Sequence, residues 1–322
     1  MKIIALDGHS LNPGDNRWEP VEALGDLTVY PRSRNKEVLE RAAGAEVIIA
    51  NKVPLPREVI ENLPALRFIT ISATGYNIVD IDAARERGIP VSNVPGYSSD
   101  SVAQHTFALL LELTNQTGDH DASVQRGEWT RCPDFAYWLR SIPELAGKTI
   151  GIIGFGDIGR RVARIALAFG MNVLAHSRTR KDPLADEKFG WADLDELAAR
   201  ADVVSLHCPQ TPETAGMIDA AFLKRMKPSA YLINTARGGL VVERDLANAL
   251  REGRLAGAAV DVVSAEPMRE DNPLLGCPNC IVTPHLAWAT LEARQRLMRV
   301  TAENIAAFQC GEPVNVVNGV GV

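Results

Sequence analysis

Residues 151–159 read GIIGFGDIG, a GxGxxG pattern built from Gly154, Gly156 and Gly159. The apolar run TIGIIG (149–154) leads into it, and the helical pattern DIGRRVARIALAFG (157–170) leads out. Glycines close many ordinary turns between a strand and a helix. Set between this strand and this helix, they match the loop that seats the pyrophosphate of a dinucleotide. The first glycine permits the tight turn, the second lets backbone N–H groups approach the ligand, and the third lets helix and strand pack closely. With Asp157 and Ile158 between them, these residues form the candidate cofactor loop.

Outward from the loop, the chain alternates short apolar runs with helical patterns, the signature of parallel α/β sheets. NVLAH (172–176), DVVSLHC (202–208), AYLINTA (230–236), LAGAAVDV (255–262) and CIVTPH (280–285) join TIGIIG to predict six strands. Upstream, KIIAL (2–6), LTVY (27–30), AEVIIA (45–50), LRFITIS (66–72) and IPVSNV (89–94) predict five more, with helices such as DIDAARERG (80–88) between them. SDSVAQHTFALLLELTNQT (99–117) reads as one long helix, and TLEARQRLMRVTAENIAAFQCG (290–311) as an amphipathic helix closing on Gly311. Residues 128–147 carry Trp129, Phe135, Tyr137 and Trp138 without a regular period. The fold expected is α/β, with two doubly wound parallel-sheet domains. A cofactor domain over 101–287 is inserted into a substrate domain made of 1–100 and 288–322.

A chain of 322 residues is long enough for two such cores, and 46% hydrophobic with 23% charged residues is ordinary for a globular protein. A net charge of −6 argues against nucleic acid or an anionic membrane as partner, since both need a basic surface. No segment approaches a membrane span, and the N-terminal MKIIALDGHS breaks at Asp7 and Gly8, too early for a signal peptide. Five cysteines, an odd number, suggest reduced thiols and a cytoplasmic protein. The CPNC at 277–280 lacks the second pair of soft ligands that zinc requires and sits in a Pro/Asn turn, so no metal is expected.

The cofactor's identity turns on the residues after NVLAH. An NAD-binding fold usually places an acidic residue about twenty positions beyond the glycine loop, where it holds the adenosine ribose. Here the stretch continues Ser177, Arg178, Thr179, Arg180, Lys181. Ser177 removes the carboxylate that would repel a 2′-phosphate, and Arg178 offers a planar pair of donors. NADP is therefore the expected cofactor, with NAD the alternative.

Three further stretches end strands: INTARGGLVVE (233–243), VDVVSAEPM (260–268) and VTPHLAWATLEAR (282–294). Ligands of a doubly wound sheet collect at the carboxyl ends of its strands. Arg237, Glu266 and His285 each lie just beyond such an end, so a cation, a carboxylate and an imidazole are expected to converge there. With NTARGG, the DVxxxEP pattern at Asp261–Pro267 and TPH followed by ATLEAR, the chain resembles the D-isomer-specific 2-hydroxyacid dehydrogenases, from about Ile3 to Val317. LDGHSLNPGDNRWEP, ANKVPL, PGYSSDSVAQHTFALLLE and HLAWAT are most similar to the glycerate dehydrogenase, or hydroxypyruvate reductase, branch.

The resemblance implies a Rossmann cofactor domain inserted into a flavodoxin-like substrate domain. It implies His285 as acid/base, Glu266 as its orienting carboxylate, Arg237 as the substrate clamp, and Thr74 and Gly75 as backbone donors to the substrate carboxylate. The cofactor site it implies extends from the glycine loop, Ser177, Arg178 and Thr179 to Thr106, Cys208, Pro209, Thr214, Thr235, Ala236, Arg237, Asp261 and His285. The chemistry agrees with these roles. Reduction of a 2-keto acid places charge on the carbonyl oxygen, so a proton donor must stand there, and histidine serves both directions near neutral pH. A neighbouring carboxylate favours the imidazolium. An arginine takes the substrate carboxylate bidentately and selects the reacting face.

Trp288 departs from the family's usual TPHIGGAT and is expected either to narrow the pocket or to pack between domains. No regulatory domain is expected after the closing helix, which argues against the longer phosphoglycerate dehydrogenases. The same family includes corepressors that keep the Arg/Glu/His set, but the long disordered tail they usually carry is not expected here. The expected activity is hydride transfer between a nicotinamide cofactor and a small 2-keto acid, hydroxypyruvate or glyoxylate. A dinucleotide-sensing corepressor, or a dehydrogenase for another D-2-hydroxy acid, is the alternative. So much aromatic surface in 128–147 predicts a homodimer, and by resemblance Trp138 is the candidate to reach the partner's pocket.

Overall fold

The computed structural model describes residues 1–180 and 182–321, so Lys181 of the basic stretch lies outside the described residues. The chain forms two compact units, one of Met1–Ser98 with the segment from Ala289 onward, the other of Ser99–Trp288.

In the first unit, β1 (Lys2–Ala5), β2 (Asp26–Val29), β3 (Val47–Ala50), β4 (Phe68–Ile71) and β5 (Val91–Ser92) form one sheet in the order β2-β1-β3-β4-β5. Every pairing is parallel. This is the flavodoxin-like order. β3 (VIIA) and β4 (FITI) are buried at every position, as strands covered by helices on both faces must be. The helix Ile81–Glu86 begins where the Asp80 carboxylate accepts the Ala83 N–H at 2.9 Å. The helix Leu291–Gln309 begins on Thr290 and stacks Phe308 against Phe68 of β4, ring centroids 4.6 Å apart.

The second unit holds β6 (Thr149–Ile153), β7 (Asn172–His176), β8 (Phe189–Trp191), β9 (Val203–Leu206), β10 (Tyr231–Asn234), β11 (Gly257–Val260) and β12 (Cys280–Val282). They run parallel in the order β12-β11-β10-β9-β6-β7-β8. Renumbered from β6, this is the 3-2-1-4-5-6 order of a Rossmann sheet with one strand added at the end.

The six strands expected here are present, and β8 is a seventh that periodicity missed. It has three half-buried residues around a glycine and pairs only with β7, too little chain for an alternation to register. The long helix expected over 99–117 also ends early. It runs Ser99–Asn115, stops at Gln116 in the left-handed region (φ 53°), and a second helix spans Thr117–Gln125.

Residues 128–147 hold a short helix, Glu128–Arg131, and otherwise irregular chain, with Phe135 93% and Trp138 68% exposed. The five cysteines are free, and Cys280 opens β12. Among the described residues no cluster of His, Cys, Asp or Glu could hold a metal, and no helix is long and apolar enough to cross a membrane.

Candidate functional site

The register of the larger sheet explains how distant stretches meet. His176, Ile153, Leu206, Asn234, Val260 and Val282 are successive partners across six strands. The next residue of each chain therefore falls along one edge: Ser177, Gly154, His207, Thr235, Asp261 and Thr283. At about 4.8 Å per strand that edge is roughly 24 Å long, enough for an extended ligand. The strand order reverses between β6 and β9, so Gly154 and His207 flank the crevice where such sheets bind ligands.

Gly154 adopts φ +102°, and a Cβ there would lie 2.4 Å from the Cys208 nitrogen; one on Gly159 would lie 2.2 Å from the Gly154 oxygen. Both positions exclude a side chain because of the protein's own backbone. Gly156 differs. It caps the 12-residue helix Asp157–Ala168, and a Cβ there would meet nothing within 4 Å. Open space at a helix N-terminus, facing free N–H groups, is a cradle for an anion, and the loop fits a dinucleotide pyrophosphate.

Ser177 is half-buried, while Arg178 and Thr179 are exposed. The Arg180 guanidinium lies over the Trp191 ring at 5.7 Å, and Arg160 Nη1 donates to the Asp182 carbonyl at 2.6 Å, tying the loop to the helix after the glycines. Arg178 makes no hydrogen bond to a described residue; it lies within electrostatic reach of Glu213. A hydrogen bond from Thr211 foremost, with Arg178 contributing, holds the Glu213 carboxyl below its usual range.

Beyond β9, Thr214 Oγ1 donates to the Pro209 carbonyl at 2.8 Å, which folds the 208–214 loop back on itself. Burial pushes the Cys208 thiol up, so it is not a reactive thiolate. Beyond β10, Thr235 Oγ1 lies 3.2 Å from Thr106 Oγ1, bringing two expected residues together. Arg237 is exposed, with Nη1 on the Ala236 carbonyl at 2.7 Å. A Cβ on Gly238 would lie 2.0 Å from the Val263 carbonyl carbon, so glycine lets the Arg237 loop close on the loop that carries Glu266.

His285 and Glu266 meet. Nδ1 lies 2.6 Å from Oε2, and the other oxygen of Glu266 accepts the Val263 N–H at 3.2 Å. Nε2 of His285 has no hydrogen-bond partner among the described residues. Asp261 is 1% exposed, and its carboxylate accepts Thr283 Oγ1 at 2.6 Å and the N–H groups of Leu286 and Ala287 at 2.9 Å each. Burial pushes this carboxyl up, but hydrogen bonds from His105, Thr283, Ala287 and Leu286 outweigh it and hold it below the usual carboxylate range.

Thr74 and Gly75 belong to the first unit, on the loop after β4, where Thr74 Oγ1 donates to the Val94 carbonyl at 2.9 Å. Trp288 is half-buried at the end of the second.

Sequence reasoning missed Asn234 and His105. Asn234, fully buried, donates to the Arg237 carbonyl at 2.9 Å and accepts the Ala236 N–H at 3.0 Å, shaping the turn that presents Arg237. A polar residue closing the apolar run YLI was its signal. His105 sat inside a helical pattern and carried no signal of its own.

The profile of the D-isomer specific 2-hydroxyacid dehydrogenase NAD-binding domain matches residues 107–287. The chain is 47% identical to a hydroxypyruvate reductase of Blautia hydrogenotrophica, over 99% of this chain and 100% of that one. It is 43% identical to a glycerate dehydrogenase of Methylorubrum extorquens, over 88% of each. A solved acyclic imino acid reductase in complex with NADPH and D-Arg superposes with a TM-score of 0.84 at 31% identity, covering 98% of this chain and 100% of that one. The chain belongs to the D-isomer specific 2-hydroxyacid dehydrogenases, oxidoreductases that work with a nicotinamide cofactor.

Proposed function

We propose that this chain reduces a small 2-keto acid, hydroxypyruvate or glyoxylate first among candidates, to D-glycerate or glycolate, with NADPH as preferred cofactor. One observation carries the reading. His285 is held at Nδ1 by Glu266 and keeps Nε2 unpartnered among the described residues, at the sheet edge where the glycine loop also lies. In this reading Nε2 gives its proton to the keto oxygen as charge develops there, and Glu266 fixes the tautomer and favours the imidazolium. Arg237, presented by the Asn234 turn, takes the substrate carboxylate.

The dinucleotide, when bound, supplies the hydride. Gly154, Gly156, Asp157, Ile158 and Gly159 would hold its pyrophosphate. Ser177, Arg178 and Thr179 would hold a 2′-phosphate. Thr106, Cys208, Pro209, Thr214, Thr235, Ala236 and Asp261 would line the rest of its path. NADPH is favoured because no carboxylate stands at position 177 and Arg178 has no hydrogen-bonded partner within the described chain.

Phe135 and Trp138 are too exposed for so large an apolar surface to stay in water, which supports a homodimer, with Trp138 the candidate to reach the partner's pocket. The five free thiols fit a reducing, cytoplasmic compartment.

The test is direct: add hydroxypyruvate to protein and NADPH, and follow the absorbance of the reduced cofactor. Rapid loss supports the reading. No turnover with hydroxypyruvate, glyoxylate or other 2-keto acids would overturn it.

A further inference from the structure

We propose that His105 and Ser101, one turn apart on the helix Ser99–Asn115, are positioning residues that hold His285 in its working conformation through Thr283, Asp261 and Ala287. The inference rests on the assignment of His285 as the acid.

His285 adopts φ 53°, a left-handed conformation that a non-glycine residue keeps only where its surroundings over-determine it. One residue supplies most of that determination. The Asp261 carbonyl accepts the His285 N–H at 2.8 Å, and its two carboxylate oxygens accept the next two N–H groups, of Leu286 and Ala287. Three successive N–H groups are thus taken by Asp261, and the imidazole is carried on the backbone they fix.

Asp261 is itself held from the helix. Thr283 Oγ1 lies 2.6 Å from Asp261 Oδ1 and 3.1 Å from His105 Nε2, and His105 Nε2 is 3.5 Å from the same Oδ1. The direction of this chain follows from counting protons. A carboxylate only accepts, so the one Thr283 hydroxyl proton points at Asp261. His105 must then donate, through a proton on Nε2. Four residues earlier, Ser101 Oγ donates to the Ala287 carbonyl at 2.6 Å. Residues at i and i+4 share a helix face, so one face grips both ends of the loop that carries His285.

Since a misplacement of about 1 Å at a reacting group can cost roughly a hundredfold, His105→Leu and Thr283→Val should each lower kcat by about 10- to 100-fold. The KM for the keto acid and the dissociation constant for NADPH should stay close to wild type. His105→Gln, which keeps a side-chain N–H donor, should recover most of the loss. Because the effect passes through His285, His105→Leu should do no further harm when added to His285→Ala.

A full loss repeated in the His285→Ala background would show that His105 acts on the fold at large, and the proposal would fail. Near-wild-type kcat in both His105→Leu and Thr283→Val would sink it equally. Thermal melts of each variant check folding. Were His105→Leu not to fold, Thr283→Val, which keeps the side-chain volume, decides the matter. A His285→Ala protein with wild-type turnover is a different result, refuting the assignment of the acid itself.

Discussion

The imidazole of His285 and the carboxylate of Glu266 meet at 2.6 Å, Nδ1 to Oε2, across 19 residues of sequence. Each follows the end of a different strand, β12 and β11, and those strands are neighbours in register. The pairing commits Nδ1 to the protein and leaves Nε2 without a hydrogen-bond partner among the described residues. His285→Ala should therefore lower turnover by roughly 10²–10⁴-fold, the range for a positioned acid/base, while NADPH titration by fluorescence shows binding intact. Arg237→Ala should raise the KM for keto acids and slow the chemistry as well. Turnover near wild type in His285→Ala would place the proton donor elsewhere.

The glycines of the loop make separable demands. A side chain at 154 collides with backbone and opposes φ +102°, whereas one at 156 enters open space. Gly154→Ala should lower the melting temperature of the cofactor-free protein. Gly156→Ala should leave it unchanged and weaken dinucleotide binding. Equal melting temperatures for the two variants would contradict this division.

Cofactor preference is tested on the 177–178 pair. A charge-assisted hydrogen bond contributes about 1.5–3 kcal/mol, so one Arg178–phosphate contact should favour NADPH by roughly ten- to a hundredfold in kcat/KM. Ser177→Asp with Arg178→Ala should reverse the order. A wild type that prefers NADH would mean that Arg178 stays in solvent.

The exposed aromatics of residues 128–147 predict association. Light scattering at micromolar concentration should give the mass of two chains, and Phe135→Asp with Trp138→Ala should shift it toward one. A wild-type monomer refutes the dimer.

His207 sets an acid limb on stability. Its Nε2 lies 2.8 Å from Ser205 Oγ, its Nδ1 is buried without a hydrogen-bond partner among the described residues, and burial lowers its pKa from 6.5 to about 3. The folded ring stays neutral while the unfolded ring takes up a proton. The stability contributed is thus fully present above pH 6.5 and lost as pH falls toward 3, by at most about 1.4 kcal/mol per unit. Melting temperature should drop between pH 6 and 4, and drop less in His207→Gln. Parallel acid limbs in the two proteins would show that the ring protonates in place.

GIIGFGDIG was enough by itself to determine a glycine turn between a strand and a helix, since glycine spacing and apolar periodicity are local properties. The strands flanking it, and the strand ends bearing Arg237, Glu266 and His285, were legible for the same reason. β8 was not, because three residues around Gly190 carry too little pattern.

Tertiary structure alone decided which partners those residues take. The in-register sheet edge brings Asp261 under His285 and sets Thr235 against Thr106. It also places a helix face bearing Ser101 and His105 against the loop at 283–287. The letter Asp at 261 does not show that its carboxylate takes the Thr283 hydroxyl and the N–H groups of Leu286 and Ala287. A side chain's type shows in one letter, but its hydrogen bonds depend on chain more than a hundred residues away, and only the packed sheet brings that chain within reach.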